Sequence, residues 1–458
     1  MTTPNAPSGN LMSRRRIAAS LASFGGTQGT IAVCSFVRLP FLIHALGESG
    51  FGLNVVISGL IPVLLTPPVG LRLSARTIVS EAMGSATSGA EASRMASVRR
   101  LALRVAVIQA AVTIPFAFLL PLHTWLGGGT SVGPHELGLS FAVTAALCAI
   151  CARGGADVGA LEAHGRVVVV NVLIAVQTAV GVVVILVASR FTSSFLFYAT
   201  LNTLTSTAHY YVAPLIYRSP GRRSARRERD EALDQAVRRS SFLGATQSAA
   251  PLATRALDPF VIGPIQGANA LAVYGLAQRL SMVTTFVPQA VVPLFAAHTA
   301  RRRGAGSPET LRRITVACLL VGGLAAASGG VLVLVGPRLA SFLTRHEFTL
   351  SRGVLLAFLL SGVAQSALIV VSAAASSPTG LMVGLRLDSA FSAANIALSV
   401  ILCFHLGIAG PVYASAVCNG AEWLVWLGVL HRRPRLLTDV HAPVALLDWA
   451  EPVYEPDL

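Results

Sequence analysis

The chain has 458 residues, 53% hydrophobic and 12% charged, with a mean hydropathy of +0.67 and a formal charge of +15. A soluble domain is about a quarter charged, so the composition excludes a soluble globular protein. Apolar runs of about twenty residues, enough to cross a hydrocarbon core of about 30 Å, recur where a β-barrel would show alternating strands of about ten. The positive charge comes from arginine alone, because the chain has no lysine; it fits basic loops beside a membrane and not a nucleic-acid partner.

At the N-terminus the cluster Arg14-Arg15-Arg16 precedes an apolar run. That run is too long for a signal peptide, and Arg38 stands where a small-residue cleavage site belongs, so it reads as an uncleaved first span. About twelve transmembrane helices are expected, with cores at 18–44, 50–71, 101–122, 137–152, 167–189, 194–217, 241–263, 270–296, 314–335, 353–375, 381–404 and 408–430.

The arginines test this count. With a cytoplasmic N-terminus, the inside segments carry Arg72, Arg76, Arg94, Arg99 and Arg100, then Arg153 and Arg166, then the run from Arg218 to Arg239. Further on they carry Arg301 to Arg303, Arg312, Arg313, Arg386, Arg432, Arg433 and Arg435. The outside loops 123–136 and 405–408 have none. Arg190 and the loop with Arg338, Arg345 and Arg352 are the exceptions to a statistical rule. An even count with both termini inside keeps the pattern intact to the end.

The division that follows is an N-terminal six-helix lobe (1–217), a basic cytoplasmic linker (218–240), a C-terminal six-helix lobe (241–430) and a cytoplasmic tail (431–458). The linker is basic enough to lie partly as an amphipathic helix on anionic lipid. The two halves repeat. Phe24-Gly25-Gly26-Thr27-Gln28 matches Leu243-Gly244-Ala245-Thr246-Gln247, and at the same offset Pro40-Phe41 meets Pro259-Phe260. After a short insertion Phe51-Gly52-Leu53 matches Tyr274-Gly275-Leu276, with a Gly-containing outer turn before each. Two like-oriented halves make a parallel repeat about an axis along the membrane normal, with a cavity between lobes that rock.

These residues carry a family resemblance. Pro40-Phe41-Leu42-Ile43, Leu46-Gly47 and Gly50-Phe51-Gly52-Leu53, with Asp258-Pro259-Phe260-Val261-Ile262-Gly263 and the stretch from Ala270 to Arg279, resemble the superfamily of polysaccharide-precursor exporters, lipid II flippases and multidrug and toxin extruders. The polysaccharide branch (O-antigen or capsule-repeat flippases) is the nearest likeness. It spans the whole twelve-helix plan on short, degenerate motifs, and the chain departs from it in lacking lysine and in its alanine-rich spans. The resemblance implies a non-enzymatic, multi-pass protein of the bacterial inner membrane that turns an undecaprenyl-diphosphate-linked oligosaccharide across the bilayer for surface polysaccharide synthesis. Its expected partners are that substrate, membrane lipids, and polymerase or glycosyltransferase machinery.

A diphosphate is suited by arginine, whose planar fork donates paired hydrogen bonds and stays charged when desolvated. Ionisable residues inside spans are costly and so are functional candidates. Arg38 lies about 33 Å along a helix from Arg16, near the outer interface, and Arg255 about 24 Å from Arg239, inside the membrane. With Arg279 they are expected to line the outer part of a central cavity; the bland alternatives are snorkelling for Arg38 and Arg279 and a local pair with Asp258 for Arg255. By the repeat Arg255 corresponds to Phe36 and not to Arg38, so the two need not face one another. Arg72 and Arg76 sit one turn apart at the cytoplasmic end of the second span, either gathering the diphosphate or anchoring the helix. Asp258 is also a candidate for coupling to a cation.

Other residues read as structural. Asp157 with Arg153, and Glu162 with Arg166, look like solvated helix pairs in a cytoplasmic loop. Glu422 beside Trp423 and Trp426 reads as near the inner interface. Pro62, Pro67, Pro68, Pro288 and Pro293 interrupt the second and eighth spans as hinges or packing features. Cys148 and Cys151 form a CxxC with no second pair or histidine to complete a metal site, so the six cysteines read as small apolar residues and neither metal nor cofactor is expected. A cation-coupled multidrug extruder is the alternative function; a membrane glycosyltransferase or polymerase would want a richer outer loop.

Overall fold

The computed structural model describes residues 14–84, 90–119, 132–217, 231–282, 310–345, 347–375 and 378–437, with isolated positions at 124, 284, 295 and 299. The first lobe contains α1 (Arg14–Leu64), α2 (Thr66–Gly84), α3 (Ala90–Leu119), α4 (Pro134–Ala163), α5 (Val167–Ala188) and α6 (Phe195–Ile216). The second contains α7 (Glu231–Gln266), α8 (268–282), α9 (Leu311–Leu343), α10 (Arg352–Ala374), α11 (Pro378–Leu406) and α12 (Ala409–Arg432). Among the described residues the fold is all-α, and every expected span falls on a helix there. Seven helical segments among the described residues are long and apolar enough to cross a membrane. Large apolar side chains such as Val107, Val183, Leu319, Leu334 and Phe404 point outward, as a lipid-facing surface requires.

The first two spans form one element, broken at Gly47, whose φ of 67° and ψ of 177° suit glycine. The second lobe turns at the equivalent place through Gly267, φ 83°. The second span does not stop at its prolines. The helix runs through Pro62, turns at Leu65 and restarts at Thr66, so Pro67 and Pro68 lie in a first turn, where a missing N–H costs little. Pro288 and Pro293 lie outside the described residues, as do linker residues 218–230; residues 231–240 already belong to α7.

The repeated aromatic–glycine pair has a packing role. A Cβ on Gly52 would overlap the Ala268 carbonyl oxygen and lie 3.2 Å from the Ala272 nitrogen, and one on Gly275 would overlap Val55. The two glycines therefore let the second span of one lobe cross α8 of the other at backbone distance, next to the fully buried Phe51 and Tyr274. The cores differ between the two ends of the bundle. One cluster joins Leu39, Leu42, Phe51 and Leu53 to Leu271, Leu276, Leu280, Leu355 and Val412 of the second lobe. Toward the end where the arginine bursts lie, one cluster centres on Met95, Val98 and Tyr210 of the first lobe and also takes in Val237 of α7, and another centres on Ile314, Val370 and Trp426 of the second. We call these the far end and the basic end.

At the basic end the lobes meet where Gly70 lies against Ser241 and Ala245 and where Arg100 of α3 pairs with Asp234 of α7 at 3.2 Å. Partial burial pulls the Asp234 carboxyl up, but hydrogen bonds from Ser97 and Arg100 and the charges of Arg100 and Arg238 outweigh it and hold it below the usual carboxylate range. A lowered folded value means that this contact is present at neutral pH and is lost only as pH falls through that value.

Two acidic residues expected on a solvated face are instead buried between helices. Asp157 is fully buried and accepts from Arg99 Nε (3.1 Å) and Nη2 (2.6 Å) on α3. Glu162 accepts two bonds from Arg72, one of them from Nε at 3.2 Å. The same-helix partners Arg153 and Arg166 are displaced because α4 continues to Ala163 and turns these carboxylates toward its neighbours. Removing one member of a buried pair strands the other charge, so Asp157→Ala should lower stability by about 3 kcal/mol, read as an earlier thermal unfolding transition in detergent.

Candidate transport site

Two of the sequence-predicted arginines come together across the lobe interface. Arg279, on α8 of the second lobe, is 6% exposed. Its guanidinium lies over the Phe51 ring of the first lobe, 5.1 Å from the centroid, and its Nη1 is buried without a hydrogen-bond partner. No ion pair forms on it among the described residues, and the nearby charge is that of Arg38. It does not snorkel. Arg38 is partly buried and donates from Nη1 to Asn202 Oδ1 at 3.2 Å, while its Nε is buried and unpartnered. Asn202 is fixed in turn by its bond to Ser58 Oγ at 2.7 Å. Two cations in an apolar interface, with donors left over, are surroundings that suit an anion.

The remaining candidates do not join them. Arg72 is committed to Glu162, and Arg76, one turn on, is exposed. Arg255 lies on α7, and its side chain is outside the described residues.

Asp258 belongs to a separate cavity of about 260 Å³ within the second lobe, lined by residues of α7, α8, α10, α11 and α12. It is 5% exposed and accepts from the Tyr274 hydroxyl at 3.0 Å. Asp388 and Glu422 line the same cavity. Glu422 is 4% exposed, so its side chain faces the protein interior. Gln365 Oε1, Asn395 Oδ1 and Glu422 Oε1, all lining this cavity, are buried oxygens without hydrogen-bond donors. Among the described residues no three His, Cys, Asp or Glu side chains cluster tightly enough to hold a metal by themselves. Carboxylates mixed with amide oxygens suit a weakly held hard cation or a proton. Asp388 was within reach of sequence reasoning, because it is an acid inside the span 381–404; its sharing a cavity with Glu422 was not.

The MatE family model matches residues 252–401, within the second lobe. Solved structures match nearly the whole chain. An inward-facing multidrug resistance MATE family transporter of the MOP superfamily is 13% identical with a TM-score of 0.66, covering 91% of this chain and 100% of its own. The lipid II flippase MurJ, in an inward closed conformation, is 11% identical with a TM-score of 0.68, covering 89% and 87%. A MOP superfamily transporter from Pyrococcus furiosus, described as having a binding pocket of reversed polarity, is 15% identical with a TM-score of 0.61, covering 93% and 96%. No curated protein sequence matches the chain. The chain therefore has the twelve-helix, two-lobed fold seen in these transporters.

Proposed function

We propose that the chain is an alternating-access exporter that turns an undecaprenyl-diphosphate-linked oligosaccharide across a bacterial inner membrane, with its basic end and both termini in the cytoplasm. The observation that carries this reading is Arg279, a buried cation with no acidic partner among the described residues, set between the lobes beside Arg38. A cationic substrate would be repelled there, whereas a diphosphate supplies the missing acceptors. The driving ion belongs to the second-lobe cavity, where Asp258, Asp388 and Glu422 are kept apart from the arginines.

A second reading is favoured by that same cavity. Its acids and the rings of Tyr274, Phe358 and Phe391 are the surroundings an aromatic cation wants, and they fit a multidrug extruder. The two separate in proteoliposomes. Flippase function predicts that an undecaprenyl-diphosphate oligosaccharide becomes accessible to an impermeant glycosidase in a gradient-dependent manner, with no concentration of rhodamine 6G. Dye accumulation with no turnover of the lipid would replace the first reading with the second.

A further inference from the structure

Arg190 and Arg345 break the arginine pattern that otherwise orders this sequence. They are 155 residues apart and in different lobes, yet they line one cavity of about 440 Å³ at the far end of the bundle. Arg190 and Ser189 follow α5, Arg345 and Thr344 follow α9, and Phe41 and His44 of α1 complete the wall. Glu347 is also in the wall, so the cavity holds two guanidinium groups against one carboxylate. Neither arginine is in an ion pair among the described residues, nor is Glu347.

The backbone adds a second observation. Arg345 stands just past the C-cap of α9 with φ 50°, the one described non-glycine residue at positive φ. Helices usually close this way with glycine, because a Cβ in the left-handed region is strained. The helix end itself does not need a guanidinium, since the Arg345 N–H already bonds to the Phe342 carbonyl. The strained side chain is explained by what it faces.

We propose that this cavity is an anion site for a phosphate group, gripped by Arg190 from one lobe and Arg345 from the other. The arginine fork suits phosphate oxygens, and the group is either free inorganic phosphate or the phosphodiester of an anionic lipid headgroup. Because each lobe supplies one arginine, the site exists only while the far end is shut. A bound phosphate therefore favours that state by its difference in affinity for the two states. The site is distinct from the one at Arg38 and Arg279 and stands or falls independently of it.

The test uses the full chain in nanodiscs of phosphatidylcholine, with and without phosphatidylglycerol, titrated with inorganic phosphate and followed by thermal unfolding. Wild type should be stabilised by phosphate in neutral discs if the ligand is the free ion, or by phosphatidylglycerol alone if it is a headgroup. Arg190→Gln and Arg345→Gly should each weaken the response by about ten- to a hundredfold in apparent affinity. Arg345→Gly suits the backbone better than arginine, so its ligand-free unfolding temperature should be equal or higher, which separates lost binding from misfolding. Arg338→Gln, on the same side but outside the cavity, should respond as wild type does. No wild-type response to either probe, or a response that both cavity variants keep, would overturn the assignment.

Discussion

Replacing Arg279 with methionine should stop export and make the protein more stable. The guanidinium is buried at the lobe interface without an acidic partner among the described residues, and its Nη1 donors are unused. Desolvating a charge costs several kcal/mol, and the face of Phe51 returns up to about 2 kcal/mol of that. Methionine has similar length, carries no charge and packs against a ring. The net gain should be at least about 1 kcal/mol, seen as a higher unfolding temperature in detergent. Charged hydrogen bonds to the substrate are worth about 1.5–3 kcal/mol, so affinity for a diphosphate should fall roughly ten- to a hundredfold. A residue kept only for packing would move stability and transport in the same direction. Lower stability with unimpaired flux would remove Arg279 from the binding site.

The second large effect should come from the cavity carboxylates. Asp388→Asn replaces one of the two carboxyls that line this cavity with Asp258 by an amide of the same shape, so the cavity should keep its packing and the fold its stability. What is lost is a charge that can be offered to a cation when the proton leaves. Gradient-driven transport should fall by at least about tenfold, matching the loss of one charged contact. Substrate binding in detergent should change by less than about twofold, because Asp388 is in a different cavity from Arg279 and separate sites behave additively. Glu422→Gln should give the same split. Wild-type gradient-driven rates in both variants would mean that the ion is coupled elsewhere.

The spans were legible because each depends on a local quantity, the length and hydropathy of one segment. The lobes were legible because their repeat is written in glycine and proline, residues whose backbone effects survive when apolar side chains drift: Gly47 and Gly267 turn the chain, and Gly52 and Gly275 bring the helices together. Partnerships between helices were not legible. One residue turns a helix by about 100°, so small errors of phase decide whether Asp157 meets solvent or Arg99. Hence Asp157 and Glu162, which read as solvated, are buried and paired, and Glu422 is buried as well. Arg38 and Arg279 could be singled out from the sequence because burying a cation is costly anywhere in a span, whatever its phase.

The distribution of the core has a mechanical consequence. Opening the basic end parts the packing of α7 against α2 and α3, including the buried Val237, the Gly70 contact and the Arg100–Asp234 pair, whereas opening the far end tears Leu39, Leu42, Phe51 and Leu53 from Leu271, Leu276 and Leu280. At about 25 cal/mol per Å² of apolar surface, each movement costs free energy in proportion to the apolar packing it exposes. Neither gate is free to part on its own, so each half of the cycle has to be offset by what the open state binds.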